Sequence, residues 1–209
     1  MQPTEPLATR DKERTRKAIL EAAVQLMSEQ GAGVSLADIA AQAGVSKGAL
    51  THHYRSRGAL EEAILIDSAE RFWTDVHEHV DLSENRSGKL LRGYIRALTS
   101  GSAVTREVFS PTSILVVIGN NQDMHHLMVQ DAERWRAAFA ADGLDPALSL
   151  VLRHAAEGLA AGIDTPYLTT TELNQARATL LHLAEPAQAD HREGERFSPG
   201  PQREGSESP

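Results

Sequence analysis

Apolar residues recur every three or four positions through most of this chain, and period-two alternation is nearly absent, so the pattern predicts helices throughout. A first helix is expected over about Lys12–Gln30, where Ile19, Ala22, Ala23, Leu26 and Met27 form one stripe and Gly31 supplies a left-handed stop. A second starts at Ser35, whose spacing to Asp38 is cap-like, and turns Leu36, Ile39, Ala40 and Ala43 inward. Gly44-Val45 makes a tight turn. Ser46 then caps a third helix running to about Tyr54, and Ser56 a longer fourth over about Arg57–Val80.

Asp81 to Gly88 reads as a loop. A fifth helix carries Leu90, Leu91, Tyr94, Ile95 and Leu98. A sixth lies around Pro111–Ile118, with Pro111 compatible only with a first turn, and Gly119-Asn120-Asn121 breaks the chain after it. The seventh shows Met124, Leu127, Met128, Trp135 and Phe139 on one face. The eighth shows Leu148, Val151, Leu152, Ala155, Leu159 and Ile163. After a connector at Asp164–Tyr167, the ninth shows Leu173, Ala176, Leu180 and Leu181. The expected fold is all-α, with nine helices. The polar, proline-broken residues 1–9 are expected to be a flexible N-terminus. Residues 186–209 hold four prolines, three glycines and one aromatic, Phe197, and are expected to be a disordered tail, because they cannot bury enough surface to offset their ordering entropy.

Composition narrows the function. A chain of 209 residues can bury a sizeable core without a metal or a disulfide. It has no cysteine, which removes disulfide frameworks, thiolate zinc sites and cysteine nucleophiles, and fits a reducing compartment. The N-terminus lacks the apolar segment of a signal peptide, and the longest apolar burst, Ile114–Ile118, is far too short to cross a membrane. A cytoplasmic protein is expected. The net charge of -8 is unevenly spread: residues 1–57 balance to +2 and the remainder to -10. Phosphate contacts need local positive charge, and an acidic remainder would keep nucleic acid on the N-terminal face.

The informative stretch is Ser35 to Leu60, SLADIAAQAGVSKGALTHHYRSRGAL. Helix, glycine turn, helix is what a helix-turn-helix requires, with one helix bracing and the next presented to a DNA groove about 12 Å wide. Ala40, Ala43 and Gly44 let the two helices cross closely. Lys47, Gly48 and Ala49 form the first turn of the second, where small residues let the backbone approach DNA and free N–H groups can meet phosphate.

This stretch resembles the N-terminal signature of the TetR family of transcription regulators, in its Gly-Val-Ser-Lys-Gly turn, the aromatic and histidine cluster that follows, and the Ser-Arg start of the fourth helix. Thr15 to Ala23, followed by Gly31, also fits, and the match covers about residues 14–65. The resemblance implies a three-helix DNA-binding domain over 10–56 and a helical ligand-binding and dimerisation domain over 57–185. It places the Ser35 hydroxyl on a phosphate, Lys47 and Gly48 against base edges or adjacent backbone, and Thr51 and His52 where the family often carries tyrosines. His53 matches the family's phosphate-contacting histidine, Tyr54 an aromatic that packs inward, and Arg57 a basic residue that meets the DNA backbone. Thr51 is shorter than the usual tyrosine, which alters the operator sequence to be expected.

The resemblance further implies that the last two helices form a four-helix interface in a homodimer. The candidates are Leu148, Leu152, Ala155, Leu159, Leu173, Ala176 and Leu180, and the small residues Ala155 to Gly162 permit close crossing. A two-fold dimer reads a palindromic operator. The middle helices would hold a small-molecule pocket. Its candidates are Phe72, Trp73, Tyr94, Phe109, Met124, Met128 and Trp135, with Asp131 and His154 as polar anchors, although an aromatic and methionine stripe at helical spacing serves equally as plain core. No metal or cofactor is expected, because His77-x-His79 and His125-His126 lack the i, i+4 spacing that puts two imidazoles on one ion. No nucleophile or phosphate-loop motif supports an enzyme. The expected function is a sequence-specific regulator, a repressor released from its operator by a ligand. The competing readings are a constitutive or architectural DNA-binding dimer without ligand, and a helical carrier or enzyme.

Overall fold

A computed structural model describes residues 7–31, 33–110, 113–119 and 121–186. Within them the chain forms ten α-helices and no strand: α1 Leu7–Gln30, α2 Leu36–Gln42, α3 Lys47–His53, α4 Arg57–Glu78, α5 Lys89–Leu98, α6 Ala103–Phe109, α7 Ile114–Gly119, α8 His125–Ala141, α9 Pro146–Gly162 and α10 Thr170–Leu183. A single 3₁₀ turn, Gln122–Met124, leads into α8. The all-α fold is as expected, and each of the nine predicted helices has a counterpart. Pro111, Asn120 and residues 187–209, on which the sixth-helix start, the following break and most of the expected tail fall, lie outside the described residues.

Two differences have local causes. Helix α1 begins at Leu7, not near Lys12; the polar first turns carry no apolar stripe to betray them. Helix α6 is additional. Its sequence, AVTREVF, is rich in β-branched residues, which are modest helix formers. The helix forms because the Ser102 hydroxyl accepts the Thr105 N–H at 3.1 Å and because Thr105, fully buried, donates its own hydroxyl to the Ala97 carbonyl at 3.0 Å.

Side chains close two apolar clusters. The first joins α1, α2 and α3 through Ile19, Met27, Ile39 and Leu50, and takes in Leu60 and Ile64 of α4 together with Ile118 and Met124. The second joins the later part of α4 (Phe72, Val76) to α5, α8, α9 and α10 through Ile95, Trp135, Leu152 and Leu180. Helix α4 therefore runs through both clusters. Helix α5 meets its end closely: a Cβ at Gly93 would lie 2.6 Å from the Val80 side chain, so this crossing requires glycine.

Polar groups fasten the second cluster. The Arg92 side chain is 1% exposed and donates to Glu84 at 2.6 Å, to the Ser87 carbonyl at 3.0 Å and to the Ala184 carbonyl at 2.7 Å. It thereby joins α5, the loop before it and the end of α10. Gly88, at φ 83°, gives α5 no side-chain cap. Asp142 from the end of α8 supplies one, its two carboxylate oxygens accepting the Leu90 and Leu91 N–H groups at 2.9 Å each.

Candidate nucleic-acid interface and core cleft

The α2–α3 pair is built from its caps. The Ser35 hydroxyl accepts the Asp38 N–H at 3.2 Å and donates to the Asp38 carboxylate at 2.6 Å, while that carboxylate accepts the Ser35 N–H. The one hydroxyl proton of Ser35 is thus directed into its capping box. Gly44, at φ +69°, turns the chain, and Ser46 caps α3 by accepting the Ala49 N–H at 3.0 Å. Leu50 of α3 is buried in the first cluster, which turns Lys47, Gly48 and His52 outward. Ala49, Thr51 and His53 are half-buried.

The exposed face has distinct chemistry at each position. Among the described residues Lys47 has no ion-pair partner. A Cβ at Gly48 would meet only the Ser46 hydroxyl at 3.8 Å, ordinary contact, so the fold itself does not require glycine there. The Thr51 hydroxyl donates back to the Lys47 and Gly48 carbonyls at 3.1 and 3.0 Å. His52 and His53 stand edge to face at 5.9 Å. Burial, then the neighbouring charges of His52, Lys12 and Arg16, hold the His53 imidazole below its ordinary pKa. Tyr54 packs inward, 4% exposed, and its hydroxyl accepts from Arg16 of α1 at 3.2 Å.

Arg57 is partly exposed at the start of α4. Its guanidinium donates to the Val34 carbonyl at 2.5 Å and to Glu61 at 2.7 Å, and so ties α4 to the segment that enters α2. Arg55, in the turn between α3 and α4, was not selected by the motif. It is exposed and has no ionic partner among the described residues.

A cleft of about 560 Å³ opens between α4, α6, α7 and α8. Three of the expected pocket residues, Phe72, Met128 and Asp131, line it. The others do not. Tyr94 and Trp135 belong to an aromatic cluster around Phe72, which lies 5.6 Å from Tyr94, 5.5 Å from Trp135 and 5.2 Å from Phe109. Trp73 packs on Trp135 at 4.6 Å, and Met124 is buried in the first cluster. His154 is exposed on α9 and bonds Glu157 at 2.6 Å, a group that also accepts the buried Tyr94 hydroxyl at 2.8 Å. Burial and the Glu157 charge raise the Tyr94 pKa well above its ordinary value. Sequence periodicity missed Leu65, Ile66 and Ala69, which form a second, narrower apolar stripe on α4 and make up much of the cleft wall.

The expected dimer residues divide in the same way. Leu152 and Leu180 are 2% and 8% exposed and belong to the chain's own second cluster, with Leu148 and Leu159 packed against it. The strongest stripe of α9 faces its own chain. Leu173 and Ala176 are half-buried, and only Ala155 of the set is exposed. The outward face of α9 instead carries Leu150 and Val151, 52% and 64% exposed, with Ala155 and Gly158. Among the described residues, no three His, Asp or Glu side chains are grouped to hold a metal, and no helix is long and apolar enough to cross a membrane.

Residues 19–64 match the family described as bacterial regulatory proteins, tetR family, and residues 88–185 match the family described as tetracyclin repressor-like, C-terminal domain. Among curated proteins none matches. Solved structures share the fold. A TetR-family transcriptional regulator from Rhodococcus sp. superimposes with a TM-score of 0.63 at 21% identity, over 82% of this chain and 97% of that one. A transcriptional regulator from Pseudomonas aeruginosa gives 0.63 at 18% identity, over 81% and 89%. The multidrug binding protein EbrR complexed with ethidium gives 0.58 at 24% identity, over 81% and 97%.

Proposed function

The chain belongs to the TetR family of bacterial regulatory proteins and is a DNA-binding transcriptional regulator, and we propose that within this class it is a homodimeric repressor released from a palindromic operator by a small molecule held in the core cleft. One observation carries the reading. Helix α4 supplies the cleft wall at Leu65, Ile66, Ala69 and Phe72, and its first residue, Arg57, is bonded to the Val34 carbonyl just ahead of the helix-turn-helix. A molecule that fills the cleft bears on the same element that positions the DNA-reading helix. Release requires only that the ligand bind more tightly to the arrangement that fits DNA less well.

In this reading residues 10–56 are the DNA-binding domain and 57–185 the ligand-binding and dimerisation domain. Lys47, Gly48, Ala49, Thr51, His52 and His53 face the groove and its phosphates, and Arg55 adds a phosphate contact. Ser35 and Arg57 act by holding the reading head in place. The exposed Leu150, Val151, Ala155 and Gly158 meet their copies across a two-fold axis, which spaces the two α3 helices by about 34–36 Å, one turn of DNA. The ethidium complex of the structurally similar EbrR supports a small-molecule ligand.

The test is fluorescence anisotropy on a labelled duplex from the DNA flanking the protein's gene, against a scrambled duplex, across a salt series. Tight, salt-sensitive binding to the flanking duplex that is lost in Lys47→Ala/His52→Ala is expected. Equal, weak binding to both duplexes and to random-sequence pools would sink the reading. Binding that no cleft ligand weakens would leave a constitutive DNA-binding dimer.

A further inference from the structure

The cleft wall is mostly apolar, and its charges can be followed one by one. Ser68 donates its hydroxyl to Glu107 of α6 at 2.8 Å. Glu70 is ion-paired with Arg134, whose guanidinium also lies 3.8 Å over the Trp73 ring. Asp131, one turn before Arg134 on α8, is half-buried and has no hydrogen bond or ion pair among the described residues. The lining thus holds two carboxylates against one guanidinium, and that guanidinium is already taken. Burial holds the Asp131 carboxyl above the usual carboxylate range, with Arg134 pulling it down only in part and Glu70 adding to the rise. An ionised carboxylate against an apolar wall is costly unless a cation meets it.

We infer that the cleft binds a lipophilic organic cation, with the Asp131 carboxylate as its counter-ion and Phe72, Leu127 and Met128 as its apolar walls. The inference rests on the reading above that the cleft is a ligand site, and names the class of ligand. The volume of about 560 Å³ suits a drug-sized molecule. An inorganic cation is disfavoured because one carboxylate among apolar side chains cannot replace a hydration shell. An anion would find no free guanidinium, since Arg134 is held by Glu70. Met128, half exposed, can change rotamer to suit ligands of differing outline.

Tetraphenylphosphonium and tetraphenylborate share one shape and carry opposite charges, so calorimetric titration of the full chain with each separates charge from hydrophobicity. One phosphonium per chain is expected, bound at least tenfold more tightly than the borate. Asp131→Asn, of nearly unchanged size, should lose at least tenfold for the phosphonium and nothing for the borate. Ala69→Phe, which fills the cleft, should abolish both. Equal affinities for the two ions would overturn the inference, as would unchanged phosphonium affinity in an Asp131→Asn protein that still melts cooperatively. Borate binding alone, abolished by Ala69→Phe, would overturn the cation assignment but keep the cleft as a ligand site. Binding of neither ion would overturn the inference, while the ligand-responsive reading and operator binding would stand or fall separately by anisotropy.

Discussion

The Arg57 guanidinium bonds the Val34 carbonyl at 2.5 Å, across 23 residues of sequence, and so fixes the first turn of α4 to the segment that leads into α2. A basic residue at a helix start beside DNA invites assignment as a phosphate contact. Its geometry equally suits a brace, and the two roles give different measurements.

For Arg57→Ala the brace predicts a loss of roughly 1–2 kcal/mol of stability, since a charge-assisted bond to the carbonyl of the buried Val34 is removed. DNA affinity should fall with the slope of log K against log salt unchanged. A slope reduced by about 0.9, with stability intact, would return Arg57 to the phosphate backbone. Thermal melting and salt-dependent anisotropy on the same variant decide between them.

Gly48 offers the converse case. Nothing in the chain crowds a Cβ there, and glycine costs a helix up to about 1 kcal/mol relative to alanine. Gly48→Ala should therefore raise the melting temperature slightly while weakening operator binding at least tenfold, because DNA is the body that needs the close approach. Unchanged operator affinity would show that the α3 backbone stays clear of the duplex.

Glu84 gives stability a pH dependence. Burial raises its carboxyl, but hydrogen bonds and charge from Arg96 and Arg92 outweigh that and leave it below its ordinary value. A carboxylate depressed in the fold contributes stability above its unfolded pKa, and loses it as pH falls through the folded value. The melting temperature should thus decline below about pH 4.5, near the unfolded carboxylate range. In Glu84→Gln the protein should be less stable at pH 7, since Arg92 is left buried without its charge partner, and the gap to the parent should shrink toward pH 3. A constant gap would remove Glu84 from the titration.

Val151→Asp tests the outward face of α9. Val151 is 64% exposed, so an aspartate costs the isolated chain little. Sedimentation should shift from dimer to monomer, and operator affinity should fall by two orders of magnitude or more as the second half-site is lost. A variant that stays dimeric would place the interface elsewhere.

Helix-forming periodicity, serine and threonine caps and the Gly44 turn are local signals, readable because each depends on residues a few positions apart. They determined the helical class, nine of the helices and the α2–α3 motif. The motif also singled out Lys47 and His52, and both are exposed on α3. Tertiary structure decided what periodicity cannot. An apolar stripe says that a face is covered, not by what: Leu152 and Leu180 pack against their own chain, and Tyr94 and Trp135 belong to its buried second cluster and not to the cleft lining. The minor stripe of Leu65, Ile66 and Ala69 lines the cleft only through the residues that α7 and α8 set opposite it. Arg57 and Asp131 make the same point for charge. Whether a charged side chain is a brace, a contact or an unanswered counter-ion depends on partners 23 or more residues away, or on their absence, and only the packed chain brings those partners within bonding distance.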